Sequence, residues 1–193
     1  MANFLDLALE LREQIYHYLL HHPPPDPHNP NSLTAPATPL HPAILAVNKQ
    51  IHAEALPILY AHNTFRSHPT LLTSFPSLYN PTVVASNCPQ ISESTCPGVR
   101  LIRRWYLKAR LDCGPFWTAE RVAEAFTGVD ELTVEVWQSM YGGGGGEVLR
   151  LFGGVRGVKK VRIWGEHDWA GEVCALVGGR DGKSGGNGGG AVR

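Results

Sequence analysis

The chain carries no surplus of either charge. Lys+Arg is 17 and Asp+Glu is 17, so the formal net charge is zero across 193 residues. A balanced chain exerts no global pull on nucleic acid or anionic lipid, and binding of either needs a local patch. Long apolar runs are missing as well. None reaches the roughly 18–20 residues a membrane-spanning helix requires. The opening MANFLDLALELREQ has neither a basic start nor an uninterrupted apolar stretch, so it does not read as a secretory signal. Cysteine is scarce. Cys88, Cys96, Cys113 and Cys174 stand 8, 17 and 61 residues apart, matching no zinc pattern and no C-x-x-C motif. They read as reduced thiols, and the expected location is intracellular, cytoplasm or nucleus.

Catalytic patterns are also missing. There is no G-x-S-x-G, no H-E-x-x-H and no Cys/His pair at a known local spacing. Gly178-Gly179-Arg180-Asp181-Gly182-Lys183-Ser184 looks like a phosphate-binding loop but is one residue short between its first glycine and Gly-Lys-Ser. His17 and His21 stand four apart on a helical stretch with Glu13 one turn earlier, a spacing that can chelate a divalent ion. A solvent-facing helix edge accounts for the same residues with less, and that reading is preferred. No enzymatic activity, metal or cofactor is expected.

Glycine (21) and proline (15) are plentiful and clustered. Residues 21–42 hold eight prolines and read as an exposed extended loop. Gly142–Gly146 reads as a flexible joint, and residues 178–193 as a disordered tail with too little apolar surface to offset its ordering entropy.

Between these segments the pattern is regular. Residues 4–20 predict one amphipathic helix with Leu7, Leu11, Ile15 and Leu19 on one stripe and Asp6 as a candidate N-cap. Residues 42–60 predict a second helical stretch, with Ile44, Val47, Ile51, Ala55 and Leu59 on one face and Pro57 splitting or kinking it. Residues 66–97 read as an irregular connector with one short helix near 70–75. From residue 98, strands alternate with helices. Arg104–Leu111, Leu132–Trp137 and Val158–Trp164 are strands, and Thr118–Thr127, Glu147–Phe152 and Asp168–Val177 are helices. Gly98-Val99-x-x-Ile102-x-x-Trp105-x-Leu107 lines up with Gly154-Val155-x-x-Val158-x-x-Val161-x-Ile163. Gly128-Val129-x-x-Leu132-x-Val134-x-Val136 fits between them if one residue is dropped. The period of about 26–30 residues falls near leucine-rich-repeat spacing, or the three copies belong to an ordinary small α/β sheet. The expected fold class is α+β or α/β. A helical module spans residues 1–65, the connector 66–97, and a strand–helix repeat sheet with parallel strands 98–177.

If the aliphatic side of those strands packs inward, the other side presents Arg104, Tyr106, Lys108, Arg110, Trp137, Lys160, Arg162 and Trp164. Aromatics among cations can anchor a protein partner or stack single-stranded nucleic acid. The alternative is that other chain segments cover this face. The neutral net charge argues against nucleic acid.

Phe4-Leu5-Asp6-Leu7-Ala8-Leu9-Glu10-Leu11-Arg12-Glu13-Gln14-Ile15-Tyr16, continuing through Tyr18-Leu19-Leu20, resembles the opening helix of F-box-like domains common in fungal proteins. The block Ile44-Leu45-Ala46-Val47-Asn48-Lys49-Gln50-Ile51-His52-Ala53-Glu54-Ala55-Leu56-Pro57-Ile58-Leu59-Tyr60, ending in Asn63-Thr64-Phe65, is similar to the second half of that domain. Ala8 stands where the family usually has proline, and the proline-rich insert is longer than in a typical F-box. The resemblance implies a non-enzymatic interaction module. Its helices would dock on the adaptor subunit of a cullin-RING (SCF-type) ubiquitin ligase while the C-terminal part recruits a substrate. On that carry-over, Leu5, Leu7, Leu11, Ile15 and Leu19 divide between core and adaptor contact. The strand face read from the alternation, with Tyr106, Trp137, Trp164 and Arg162, is then the expected substrate face. The competing expectation is a single integrated scaffold fold with no link to a ligase.

Overall fold

A computed structural model of the chain describes residues 3–22, 40–79, 97–112, 116–138 and 146–165. The cysteines, the helix expected at Asp168–Val177, most of the proline-rich loop, and the Gly-rich tail lie outside the described residues.

The N-terminal stretch is broken where one helix was expected. Phe4–Asp6 is a 3-10 turn, Leu7 and Ala8 are extended, and helix α1 runs Leu9–Leu20. Asp6 therefore does not cap the helix. Its carboxylate accepts from the Asn3 backbone N–H at 2.8 Å, closing a capping box on the short turn. The break has a physical cause. The Arg12 guanidinium donates to the carbonyls of Leu5 and Leu7, and Leu7 O is an oxygen a continuous helix would spend on Leu11 N–H. Pro42–Ala46 forms a second 3-10 turn, and helix α2 runs Lys49–His62 with Asn48 accepting from the N–H groups of Gln50 and Ile51. Pro57 does not split α2, which continues five residues beyond it. Tyr16, Leu20, Ile51, Ala55 and Ile58 close a small core between the two helices.

Residues 66–78 are not an irregular connector, and no helix forms near 70–75. Strand β1 (Thr64–His68) and strand β2 (Leu72–Leu78) form an antiparallel hairpin on the edge of the sheet. His68 Nδ1 accepts from the backbone N–H groups of Thr70 and Leu71, each at 3.2 Å, and fixes the turn. Pro76 is tolerated inside β2 because an edge strand needs only one side of its ladder.

Strands β3 (Arg104–Arg110), β4 (Glu131–Trp137) and β5 (Lys160–Gly165) complete a five-stranded sheet of order β2-β1-β3-β4-β5. All neighbours except the β1–β2 pair are parallel. The register sets Trp105 beside Leu132 and Val161, and Leu107 beside Val134 and Ile163. The first and third copies of the internal repeat fall on the same rows, Trp105 with Val161 and Leu107 with Ile163, but the middle copy is shifted by two residues: the sheet pairs Leu132, not Val134, with Trp105, and Val134, not Val136, with Leu107. Helix α3 (Ala119–Phe126, capped by Thr118) links β3 to β4. The short helix α4 (Gly146–Arg150) and the 3-10 turn Leu151–Gly154 link β4 to β5. Val122, Phe126, Val148, Leu149 and Phe152 pack on Trp105, Leu107, Leu132 and Val134 to form the main core. The Phe126 ring meets Trp105 edge-on at 6.1 Å and Phe152 stacked at 6.4 Å.

The helical module joins this body without a spacer. Tyr60 of α2 belongs to the main core, stacks on Phe65 of β1 at 5.3 Å, and fills the space above Gly98. A Cβ at residue 98 would stand 2.7 Å from Tyr60 Cδ2, so glycine is required there.

Candidate interaction surfaces

Helix α1 has two apolar faces. Arg12, Tyr16 and Leu20 recur every four residues and are buried against α2. Leu11 and Ile15 stand one residue earlier, about 100° round the axis. They are 48% and 36% exposed, Leu7 is 38% and Tyr18 87%. Leu9 and Val47 are exposed as well. Leu5, in the turn before α1, and Leu19, one turn beyond Ile15, pack half-buried on the helical core. So of the five N-terminal positions singled out in the sequence, two are core-side and three are presented outward.

The seam holding this ridge in place is polar. Arg12 forms a bidentate pair with Glu54 of α2, Nη2 to Oε1 at 2.8 Å and Nε to Oε2 at 3.0 Å. Tyr16 OH and Gln50 Nε2 donate to the same carboxylate at 2.9 Å each. Led by the Arg12 bond, these donors hold the Glu54 carboxyl down to about 2. At the far end, the buried Asn63 ties both helices together. Its Nδ2 donates to Leu20 O at 2.6 Å and Leu59 O at 2.8 Å, and its Oδ1 accepts from His22 N–H at 2.8 Å. His17 and His21 do not form a solvent-facing edge alone. His62 joins them, with its ring 4.5 Å from His17 and 6.1 Å from His21. Burial, then the neighbouring imidazoles, pushes the His21 and His62 rings below the usual histidine range. Among the described residues, no group of three or more His, Cys, Asp or Glu side chains is arranged to hold a metal ion.

The second surface is the face of the sheet turned away from α3 and α4. Parallel sheets covered on both sides read as unbroken apolar runs. Strand β4 instead alternates, burying Leu132, Val134 and Val136 while Glu131, Thr133, Glu135 and Trp137 are half-buried. Six basic residues of the strands share this side: Arg66, Arg104, Lys108, Arg110, Lys160 and Arg162, against the carboxylates Glu131 and Glu135. In a chain of zero net charge, that concentrates positive potential on one face. Glu10 and Glu13 on α1, and Glu120 and Glu124 on α3, lie elsewhere and are exposed. The cations are interleaved with aromatics. Tyr79 stacks on Tyr106 at 4.1 Å, and the Arg66 guanidinium stands 5.5 Å and 5.4 Å from their ring centres. Lys108 and Arg110 stand 5.6 Å and 5.1 Å from the Trp137 ring centre. Lys108 also pairs with Glu135 at 2.9 Å, and Arg162 with Glu131 at 3.3 Å. Such half-exposed pairs hold about 0–1 kcal/mol and exchange partners at little cost.

Of the sheet-face positions read from sequence, Trp137 and Arg162 reach this surface. Tyr106 is only 3% exposed because Tyr79 lies over it. Trp164 occupies the strand position beside Glu135, and its side chain is outside the described set. The sequence did not single out Arg66 or Tyr79. Both belong to the hairpin, whose proline and serine content hides its strands.

A cleft of about 440 Å³ opens where the hairpin turn meets α3, lined by Leu72, Val99, Trp105, Arg103, Arg121 and Glu124 among others. Leu72 there has φ +51°, a left-handed backbone that leucine rarely adopts. No helix among the described residues is long and apolar enough to cross a membrane. Compared with family models, with curated proteins and with solved structures, the chain matches none.

Proposed function

We propose that this chain is a non-enzymatic protein-interaction module of F-box-like type, a substrate-recruiting subunit of an SCF-type ubiquitin ligase. The observation that carries the reading is the outward ridge Leu7, Leu11, Ile15 and Tyr18, which the described chain leaves uncovered. Apolar side chains at helical spacing are costly in water unless a partner helix or groove covers them. The adaptor subunit is the proposed partner, with Leu5 and Leu19 supporting the ridge from below. The leucine-rich-repeat-like stacking of β3, β4 and β5 then presents the one-sided sheet face, with Trp137 and Arg162, to a substrate. Co-elution of the full chain with purified adaptor at micromolar concentration tests this. A single complex peak supports it, and separate peaks from a folded chain overturn it.

A second reading, an integrated scaffold without a ligase link, rests on the direct β1–β3 pairing and on Tyr60 in the main core. It requires that separate-peak result, together with protease resistance through the α2–β1 junction.

A further inference from the structure

We infer that the imidazoles of His17, His21 and His62 form a proton-operated latch between the two helices. Neutral, they close the end of α1 onto α2. Charged, they free that end while the core of the sheet stays packed. The consequence for docking rests on the proposed role of the α1 ridge; the latch itself does not.

Three rings from two helices meet at one end of the seam. His17 lies 6.0 Å from His21 and 4.5 Å from His62, and His21 lies 6.1 Å from His62. The Nε2 atom of His21 is buried with no hydrogen-bond partner among the described residues. A neutral imidazole tolerates this, since one of its nitrogens carries no proton. A charged imidazole carries a proton on both. Charging His21 therefore places an N–H where neither water nor an acceptor meets it. The groups around the cluster do not offset this. His22 follows at the end of α1, and Arg104 of β3 donates to His62 O at 3.0 Å; both oppose a positive charge on His21. On α2, burial and the His17 ring outweigh the Ile58 carbonyl, which favours a charged His62. Among the described residues, no carboxylate acts on His21 or His62.

The two ends of the α1–α2 seam answer acid differently. The Glu54 carboxyl is held down to about 2, so its bonds to Arg12 and Tyr16 persist through mild acid. At the other end, Asn63 ties Leu20 O and His22 N–H directly beside the histidines. Helix α1 is thus hinged at Arg12 and latched at His17–His22. Tyr18 of the ridge rides on the latched end, with Ile15 one turn from it. In the main core the one titratable side chain is Tyr60, whose type titrates near pH 10, so β3, β4 and α3 keep their packing. The buried Leu20 side chain resists the opening, so acid shifts a population rather than releasing the whole helix.

The test is amide hydrogen exchange of the full chain at about pH 7.5 and pH 5.5, either side of the ordinary histidine range, read as protection factors. The expected result is a loss of about tenfold or more for residues 17–22 in acid, with the amides of β3 and β4 unchanged. His21→Asn/His62→Gln should hold that loss below about threefold. His17→Gln, which removes only a half-buried facing ring, should give an intermediate loss, and it decides alone if the double variant does not fold. No loss in acid, a loss spread evenly into β3 and β4, or an equal loss in the variants overturns the latch. Calorimetric titration of purified adaptor at the same two pH values reads the coupling. Binding should be about tenfold weaker in acid for the full chain and less so for the variants. Equal affinity at both pH values overturns the coupling. No binding at either pH strikes the ligase reading, and the exchange result still decides the latch.

Discussion

Asn63 does more than its position in an unremarkable helix-to-strand junction would suggest. Three backbone groups, Leu20 O, Leu59 O and His22 N–H, have its amide as partner. Asn63→Ala leaves them inside a closed seam, each at about 1–3 kcal/mol when unsatisfied, so a loss of at least about 2 kcal/mol is expected in urea unfolding. Asn63→Asp should be no better, because it replaces the donating nitrogen by an acceptor. The histidines beside it give a pH dependence of definite sign. His21, His22 and His62 have folded-state pKa values lowered mainly by burial, so the unfolded chain binds protons first. His17 and Arg104 face the same cluster and add to the cost of charging it. Stability should therefore be flat above neutral pH and fall as pH drops below about 6.5 toward 5. Replacing His21 and His62 by asparagine and glutamine should flatten that fall, as read by thermal unfolding against pH. Glu54 acts in a separate window. Its lowered pKa keeps its contribution intact above about 4.5 and removes it as pH falls toward about 2.

Elements explain what the sequence showed and what it hid. The β4 alternation, the Thr118 cap and the spacing of Val122 and Phe126 were legible because each pattern is local and is satisfied in place. The β1–β2 hairpin was hidden because Pro69, Pro76 and the serines around them signal loop, and only edge position makes them compatible with strands. The break before α1 was hidden because its cause, Arg12 reaching back to two carbonyls while pairing with Glu54, joins residues 42 apart. That break also makes a prediction. Ala8 sits at φ −58° and Leu7 before it is extended at ψ 147°, a backbone that proline and its predecessor adopt without strain. Ala8→Pro should stabilise the chain by roughly 0.4–1 kcal/mol in chemical denaturation through a less flexible unfolded state. In the main core, Phe126 is fully buried between Trp105 and Phe152. Phe126→Ala should cost about 3–5 kcal/mol by the same measurement, more than the exposed ridge residues can.

At the scale of the molecule, two unlike surfaces sit on one body. The helical end shows an apolar ridge rimmed by Glu10 and Glu13, and the sheet shows a basic, aromatic face. A zero net charge conceals this separation, which is why composition alone spoke against charged partners. The resemblance in the first 65 residues pointed to the ridge, and alternation in β3 and β4 pointed to the face. Neither could tell that Tyr79 shields Tyr106 or that Arg66 joins the group, since both facts depend on a hairpin folding onto a distant strand. The account stands or falls on the ridge, because a partner must cover it. The direct measurement is a calorimetric titration of purified adaptor into the full chain, into Leu11→Asp/Ile15→Asp and into Lys108→Gln. The account predicts micromolar or tighter binding for the full chain and for Lys108→Gln, with a loss of about 100-fold or more in the ridge variant at unchanged fold, roughly 2.7 kcal/mol. Equal affinity for all three, or no heat of binding from the folded chain, would contradict it.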